Sequence, residues 1–268
     1  MKRLVVNADD FGFTRDVNAG IMEAHREGIL TATTLMANGE AFDDAVRLGR
    51  ETPSLDIGCH LVLVGGRSVA EPERSLPGSV GGLLRAIAGG RLGIYEELAA
   101  QTRRIVEAGL HPTHLDTHKH THLLPPVLEA VARIGQEFGI PWVRRPFDFP
   151  LQPGRPPWTK RAASRAFGGL RGRFHRVLQV YGCRTTDHFA GFQMTGRFGD
   201  RDLAELIGAL PEGSTEFMCH PGRCGEELRA ARTRLKESRE TELRALTSAA
   251  ARTALRDSGV ELVAYRDL

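Results

Sequence analysis

Segments typical of buried strands alternate with segments typical of amphipathic helices along most of this chain of 268 residues. The first apolar run, 4–8, predicts a strand, and residues 16–27 predict a helix that ends at Gly28, a residue favoured just past helix ends. This alternation is typical of α/β folds with a parallel sheet. Further strands are predicted at 31–38, 55–63, 113–117, 142–145, 187–193, 215–219 and 260–265, and further helices at 41–50, 94–108, 125–138 and 238–257.

Eight predicted strands and a length of 268 residues fit a (β/α) barrel similar to the TIM barrel, with a single domain over residues 1–268. Two segments interrupt the alternation. Residues 65–93 are rich in glycine and proline, and residues 147–186 are irregular. Both segments are therefore predicted to be loop insertions.

The composition is that of an ordinary globular protein, with 41% hydrophobic residues, 26% charged residues and a net charge of +3. So small a net charge gives no reason to expect nucleic acid as a partner. No stretch approaches the roughly 18 apolar residues of a membrane-spanning helix, so no transmembrane segment is predicted. The four cysteines form no C-x-x-C pair and no disulfide framework, which favours reduced thiols and a cytoplasmic location.

Five of the ten histidines lie between His111 and His122. Imidazole is the commonest protein ligand of transition metals, so this density indicates a metal site. Alternate spacing places His118, His120 and His122 on one face of an extended segment. A second polar signature, Asn-Ala-Asp-Asp-Phe-Gly at 7–12, directly follows the first predicted strand.

In a (β/α) barrel, the reacting groups lie at the carboxyl ends of the strands. Asp9 and Asp10 end the first predicted strand, His60 lies in the third, His118 follows the fourth, and His220 follows the seventh. Four separate segments therefore converge on one rim of the predicted barrel. This convergence, more than any single motif, predicts a mononuclear metal hydrolase.

The motifs of the chain resemble those of a known family, the YdjC-like carbohydrate deacetylases, which include chitooligosaccharide deacetylases and hopanoid-associated members. The resemblance spans most of the chain, but residues 147–186 show no family pattern. It is carried by NADDFG (7–12), NAGI (18–21), GILTATT (28–34), GCHL (58–61), PTHLDTHKHTH (112–122), EFMCHPG (216–222) and RETEL (239–243).

The resemblance implies a distorted (β/α) barrel that holds one divalent metal ion. By the positions of the family motifs, the ligands would be Asp10, His60 and His118, and Asp9 would be the catalytic base. The expected substrate is an N-acetylated amino sugar, in an oligosaccharide or a glycolipid, from which the enzyme would release acetate. Two imidazoles and one carboxylate slightly favour zinc, but magnesium and other divalent ions also fit.

The chemistry of amide hydrolysis independently requires such groups. Three protein ligands leave positions on a metal for water and for the acetyl carbonyl. A carboxylate beside the metal can take the proton of the attacking water, which is the role expected of Asp9. The leaving amine needs a proton, and His220 is the best-placed imidazole to act as the general acid. A buried structural histidine is the alternative for His220.

The remaining polar residues of the motifs are candidates for a shell around the metal or for substrate contacts. Asp116, His120 and His122 are predicted to hold the metal-bound imidazoles through their second nitrogens. The alternative for His120 is contact with the substrate, or with the metal through a water molecule. Arg239, with Glu242 three residues later, is expected either to orient the base or acid through an ion pair or to belong to a solvated helix face.

Arginines and aromatic residues are interspersed in the segment 155–176. This pattern fits a lid that stacks on sugar rings, a surface for peripheral contact with anionic lipid, or simply a solvated arginine-rich helix. A homodimer is also compatible with the sequence. Two other functions stay open, a two-metal phosphoesterase on a similar barrel and a metal-binding protein without catalytic activity.

Overall fold

The computed structural model describes residues 1–149 and 157–268 and contains eight parallel strands. The sequence predicted the presence and order of all eight, although several are shorter than expected. They are β1 (Lys2–Phe11), β2 (Ala32–Leu35), β3 (Asp56–Leu61), β4 (His114–Thr117), β5 (Trp142–Val143), β6 (His188–Ala190), β7 (Gly213–Cys219) and β8 (Val260–Leu262).

The strands form one curved sheet in the order β5-β4-β3-β2-β1-β7-β6, an open form of the α/β barrel. β7 pairs with β1 along Lys2–Ala8, and β8 pairs with Lys2–Leu4 of the same strand. β8 therefore lies on the β2 side of β1, whereas a regular barrel would place it between β7 and β1. The two outer strands approach each other where the amide of Phe149 donates to the carbonyl of Phe189 at 2.9 Å.

Alternate residues of β1 face opposite sides of the sheet. Leu4, Val6 and Ala8 pack in the large core beneath the helices. Val5 packs in a small cluster on the other face, with Tyr265 among its neighbours. Asn7 and Asp9 share this second face with Val5, so the pleat of the strand directs their polar side chains into the concave side of the sheet.

Eleven helices are described, and none is both long and apolar enough to cross a lipid bilayer. They are α1 (Arg15–Glu27), α2 (Phe42–Glu51), α3 (Val80–Ala88), α4 (Ile94–Glu107), α5 (Pro125–Phe138), α6 (Trp158–Gly168), α7 (Arg171–Val180), α8 (Asp200–Gly208), α9 (Glu226–Ala230), α10 (Glu237–Thr247) and α11 (Ala249–Asp257).

Both predicted loop insertions contain helices. α3 lies in the first, where the Ser79 hydroxyl accepts from the amide of Gly82 and caps a helix that its glycines had obscured. α6 and α7 lie in the second. Residues 150–156 of this segment fall outside the described part of the chain. The long helix predicted at 238–257 is divided, because Ser248 is extended and its hydroxyl caps α11 by accepting from Ala251.

Helix α1 packs closely against the loop that follows β7. A Cβ atom on Gly20 of α1 would lie 2.4 Å from the Cα of Gly222. The loop residue Gly222 is two positions after His220, so this contact fixes the backbone that carries the predicted acid.

We predict that Gly20→Ala separates α1 from this loop and lowers the free energy of unfolding by about 1–3 kcal/mol, the usual cost of overpacking. Denaturant-induced unfolding measures the change. Gly168→Ala in α6 is the matched control, because nothing lies within 4 Å of its Cβ position. The control should be neutral or stabilising by about 0.5–1 kcal/mol. Equal stability of the two variants would contradict the close contact.

Candidate active site

Three potential metal ligands meet at the carboxyl ends of β1, β3 and β4. The Oδ1 atom of Asp10 lies 3.3 Å from Nε2 of His60 and 3.4 Å from Nδ1 of His118. The two imidazole nitrogens are 3.2 Å apart. Asp10 has a left-handed backbone, with φ of 70°, where the pairing of β1 with β2 shifts in register. Aspartate tolerates this conformation better than most residues, and here it turns the carboxylate towards both histidines.

These residues fit a divalent cation. Adjacent ligands of a tetrahedral zinc ion are about 3.4 Å apart, close to the separations in this triad. The Oδ1 atom of Asp10 is buried and has no hydrogen-bond partner among the described residues. A buried carboxylate oxygen without a donor is costly unless a cation compensates it. Asp10, His60 and His118 therefore form a triad that can hold one metal ion.

Two neighbours orient the triad. The Nδ1 atom of His60 donates to Asp116 at 2.7 Å, which leaves the lone pair of Nε2 facing the triad. Thr34, which the sequence did not single out, also donates to Asp116, at 3.1 Å. Arg239 donates to Oδ2 of Asp10. Burial alone would raise the pKa of Asp10, but the Arg239 guanidinium, together with His118 and His60, holds this pKa well below its usual value.

Arg239 and Glu242 are both 1% exposed, so the interpretation of this pair as a solvated helix face was wrong. Arg239 contacts Asp10, whereas Glu242 accepts hydrogen bonds from two backbone amides. Its partners are Gly196 at 2.7 Å and His220 at 2.6 Å. Burial raises the pKa of Glu242 to about 7. Glu242 thus ties α10 to the loops that follow β6 and β7.

Arg144, directly after β5, connects Asp9 with Asp116, the residue that orients His60 of the triad. Its side chain is fully buried and donates to both oxygens of Asp9, at 2.7 and 2.9 Å. It also contacts Asp116 at 2.5 Å and Glu216 at 2.7 Å. Burial would raise the pKa of Asp9, but the positive charge of Arg144 keeps it below its usual value, so Asp9 is ionised.

Arg144 was not among the site residues predicted from the sequence. Its position near the end of the fifth predicted strand could have indicated it, because the predicted site residues occupy equivalent positions at other strands.

His220 lies beside Asp9. Its Nε2 atom is 3.8 Å from Oδ2 of Asp9. Nδ1 is buried without a hydrogen-bond partner in the described part of the chain, and it lies 4.0 Å from Glu242. Burial lowers the pKa of His220 to about 4, despite the two nearby aspartates. The imidazole is therefore neutral at pH 7.

The three alternating histidines do not share a face. Residues 118–123 form a 3₁₀ segment rather than an extended one, and Lys119 and His120 have left-handed φ values of 57° and 51°. His118 is directed towards Asp10 and His60. His120 is directed towards Phe192, with ring centroids 5.6 Å apart. The expectation of an extended run with three imidazoles on one face was wrong. The left-handed turn at Lys119 and His120 separates His118 from the other two, whose ring centroids are 6.1 Å apart.

His122 holds the strand end that carries Arg144. Its Nε2 donates to the carbonyl of Arg144 at 3.1 Å, and Nδ1 accepts from Thr117 at 2.6 Å. Burial lowers the pKa of His122 to about 3, so the ring is neutral. The Nδ1 atom of His120 is buried without a partner among the described residues. Among the described hydrogen bonds, neither ring supports His60 or His118. By contrast, His114 has a packing role, because its ring stacks on that of Tyr265 with centroids 4.1 Å apart.

Comparisons with known proteins agree with this fold and these motifs. A family model described as "YdjC-like protein" matches residues 3–257. The chain is 36% identical over 270 residues to a carbohydrate deacetylase of Brevibacillus brevis, covering 99% of both sequences. It is also 36% identical over 277 residues to a chitooligosaccharide deacetylase of Klebsiella pneumoniae, covering 99% of this chain and 98% of the relative.

A solved structure from Enterococcus faecalis has the same fold. It is provisionally described as a cellobiose-phosphate cleavage protein and superposes with a TM-score of 0.78 at 24% identity, covering 99% of this chain and 98% of the other.

We predict that Arg144→Met lowers the free energy of unfolding by about 3–5 kcal/mol, because it leaves buried carboxylates without their cation. Denaturant-induced unfolding at neutral pH measures the loss. The control is Arg201→Met, which removes an ion pair with Glu205 in which the arginine side chain is 92% exposed. The control should change stability by less than about 1 kcal/mol. Similar losses in both variants would show that Arg144 does not organise the site.

Proposed function

This chain belongs to the YdjC-like family, and from that premise we propose that it removes the N-acetyl group of an acetylated amino sugar by metal-dependent hydrolysis and releases acetate. Relatives named as carbohydrate deacetylases match nearly its whole length, so we regard it as a carbohydrate deacetylase, a hydrolase of amide bonds. One observation carries the metal dependence. The orphaned Oδ1 atom of Asp10 faces two imidazole nitrogens, next to a carboxylate and a neutral imidazole that can move protons.

Asp10, His60 and His118 would hold the ion. When bound, a divalent metal acts as a Lewis acid on the acetyl carbonyl and lowers the pKa of water, and the ligand types slightly favour zinc. Arg239 keeps Oδ2 of Asp10 occupied, so that Oδ1 remains available. Asp116 keeps the proton of His60 on Nδ1, which leaves Nε2 free to bind.

Asp9 would take the proton of the attacking water. Its two hydrogen bonds from Arg144 fix the position of the carboxylate and keep it ionised. A positioned base saves the entropic cost of bringing a proton acceptor to the reacting group. The pKa of Asp9 is low, so this base gains from a second group that can accept the proton in turn.

His220 can be that group. It is neutral at pH 7 before the reaction, and so it must acquire the proton that a general acid delivers. Oδ2 of Asp9 lies 3.8 Å from its Nε2, which offers a source for that proton. In this scheme the proton taken from water by Asp9 passes to His220 and then to the nitrogen of the leaving amine.

We assign His120 to the substrate rather than to the metal. Its ring packs edge-on against Phe189 and Phe192, with centroids 6.0 and 5.6 Å apart. Its buried Nδ1 atom has no partner in the described part of the chain, and a hydroxyl group of a sugar can supply one. A left-handed residue such as His120 is strained, and strain of this kind is concentrated at functional sites.

A two-metal phosphoesterase is less well supported. A second group of donors, Asp9, His60 and Asp116, lies within 4.8 Å of one another. The guanidinium of Arg144 already pairs with both carboxylates, and the Nδ1 atom of His60 is engaged with Asp116. A second cation there would be repelled by Arg144. A metal-binding protein without catalytic activity would leave the arrangement of Asp9 and His220 without a role.

We predict that the purified chain binds one divalent ion and that His60→Ala and His118→Ala lose it. Changes to residues around metal ligands weaken affinity about 10 to 100-fold, so loss of a ligand should be at least as severe. Metal analysis after dialysis measures occupancy. His111→Ala is the control, because this exposed histidine lies in the same run but outside the triad. Full occupancy in both triad variants would refute the ligand assignment.

We predict that Asp9→Asn retains the metal but lowers the rate of acetate release about 10² to 10⁴-fold, the usual contribution of general acid or base catalysis. Acetate released from N-acetylated saccharides, with metal content measured in parallel, tests this. Retention of the full rate would exclude Asp9 as the base.

His220→Ala should slow amide hydrolysis more than hydrolysis of an activated acetate ester, whose leaving group departs without a proton. The amide-to-ester rate ratio, compared with that of the wild type, measures this directly. Equal losses on both substrates would assign His220 to stabilising the tetrahedral oxyanion instead of protonating the amine.

A further inference from the structure

Helices α6 and α7 each present one face to the body of the protein and the opposite face to solvent. In α6, Lys160, Ser164 and Phe167 follow the helical spacing of one face. Phe167 packs on Phe192 at 5.3 Å, and Lys160 donates to the carbonyl oxygens of Phe192 and Thr195. The inward side of α6 is therefore anchored to the loop whose Phe192 packs on His120.

The inward face of α7 is apolar and packs beside His122. Phe174 and Leu178 are 1% and 2% exposed. The Phe174 ring lies 5.9 Å from that of His122 and 5.2 Å from that of Phe147. Both helices thus pack beside the active site through their inward faces.

The outward sides combine arginines with large exposed apolar side chains, and we call them together the basic face. Trp158, Arg161 and Arg165 share the outward stripe of α6 by their spacing, and Arg173, Arg176 and Val180 share that of α7. Trp158 is 78% exposed and Val180 is 76% exposed. Across the described protein, few large apolar side chains are this exposed, so this pair in adjoining helices is unusual.

The charge of the basic face is uncompensated. Residues 150–182 contain no aspartate or glutamate. None of the ion pairs among the described residues involves Arg161, Arg165, Arg173 or Arg176. Arginine-rich helices that serve only as solvated faces usually interleave acidic residues, which this segment lacks.

We propose that the basic face binds the surface of an anionic lipid bilayer. Arginine guanidinium groups are attracted to anionic headgroups, and tryptophan favours the boundary between headgroups and acyl chains. The exposed tryptophan and valine favour a bilayer over a nucleic acid. A nucleic acid backbone would pair with the arginines but would offer no apolar phase for Trp158 and Val180.

The test is co-sedimentation of the full chain with vesicles of phosphatidylcholine alone or mixed with phosphatidylglycerol. We expect binding only to the mixed vesicles and weaker binding as salt is raised. Each arginine near an anionic surface contributes about fivefold to partitioning, so Arg161→Gln with Arg165→Gln should lower it about 25-fold. The matched control is Arg26→Gln with Arg229→Gln, which removes two exposed arginines of α1 and α9 and should bind as the wild type does.

Tryptophan fluorescence gives a second readout. The emission should shift to the blue when mixed vesicles are added, and Trp158→Phe should abolish the shift, because the other tryptophan, Trp142, is packed against Tyr265. Equal binding to neutral vesicles, equal losses in the control, or binding of a single-stranded oligonucleotide in place of vesicles would overturn the proposal. Acetate release from a soluble saccharide by the Arg161/Arg165 variant tests the catalytic proposal separately, and we expect it to be unchanged.

Discussion

Three carboxylates, from Asp9, Asp116 and Glu216, meet the buried guanidinium of Arg144, and the geometry of the site follows from this arrangement. Removing so many charges from water is costly unless each is paired and hydrogen-bonded. Arginine can meet this demand because its planar fork offers five N–H donors in fixed directions. One contact fixes the proposed base, another fixes Asp116 and through it His60, so the acid–base chemistry and the metal triad share one support.

Local backbone strain places the ligands around this support. Asp10 adopts a left-handed conformation where β1 shifts its register, and Lys119 and His120 do so just after His118. These departures from regular structure turn one carboxylate and one imidazole towards a common point. Conformations of this kind persist only where the surrounding structure determines them. Here β1 is paired with β7 and β8 along one part of its length and with β2 along another.

The helices beside the site connect the proposed catalysis to the proposed bilayer contact. Their inward residues pack on His122 and Phe192, and their outward residues carry unpaired positive charge. The same segment showed no family pattern in its sequence.

The sequence by itself determined the eight strands, six of the eleven described helices (two of them predicted as one), the family and the residues that form the triad, because periodicity, helix caps and short motifs are encoded by neighbours along the chain. Tertiary structure alone decided the rest. Arg144 meets Asp9 across 135 residues, and no local pattern specifies that pairing. The left-handed turn that separates His118 from His120 and His122 depends on what each ring packs against. The pairing of β8 with the start of β1, on the side where β2 pairs further along the strand, is likewise not specified by any local pattern. Such choices are made by packing and by the desolvation of charges, which only the assembled fold brings together.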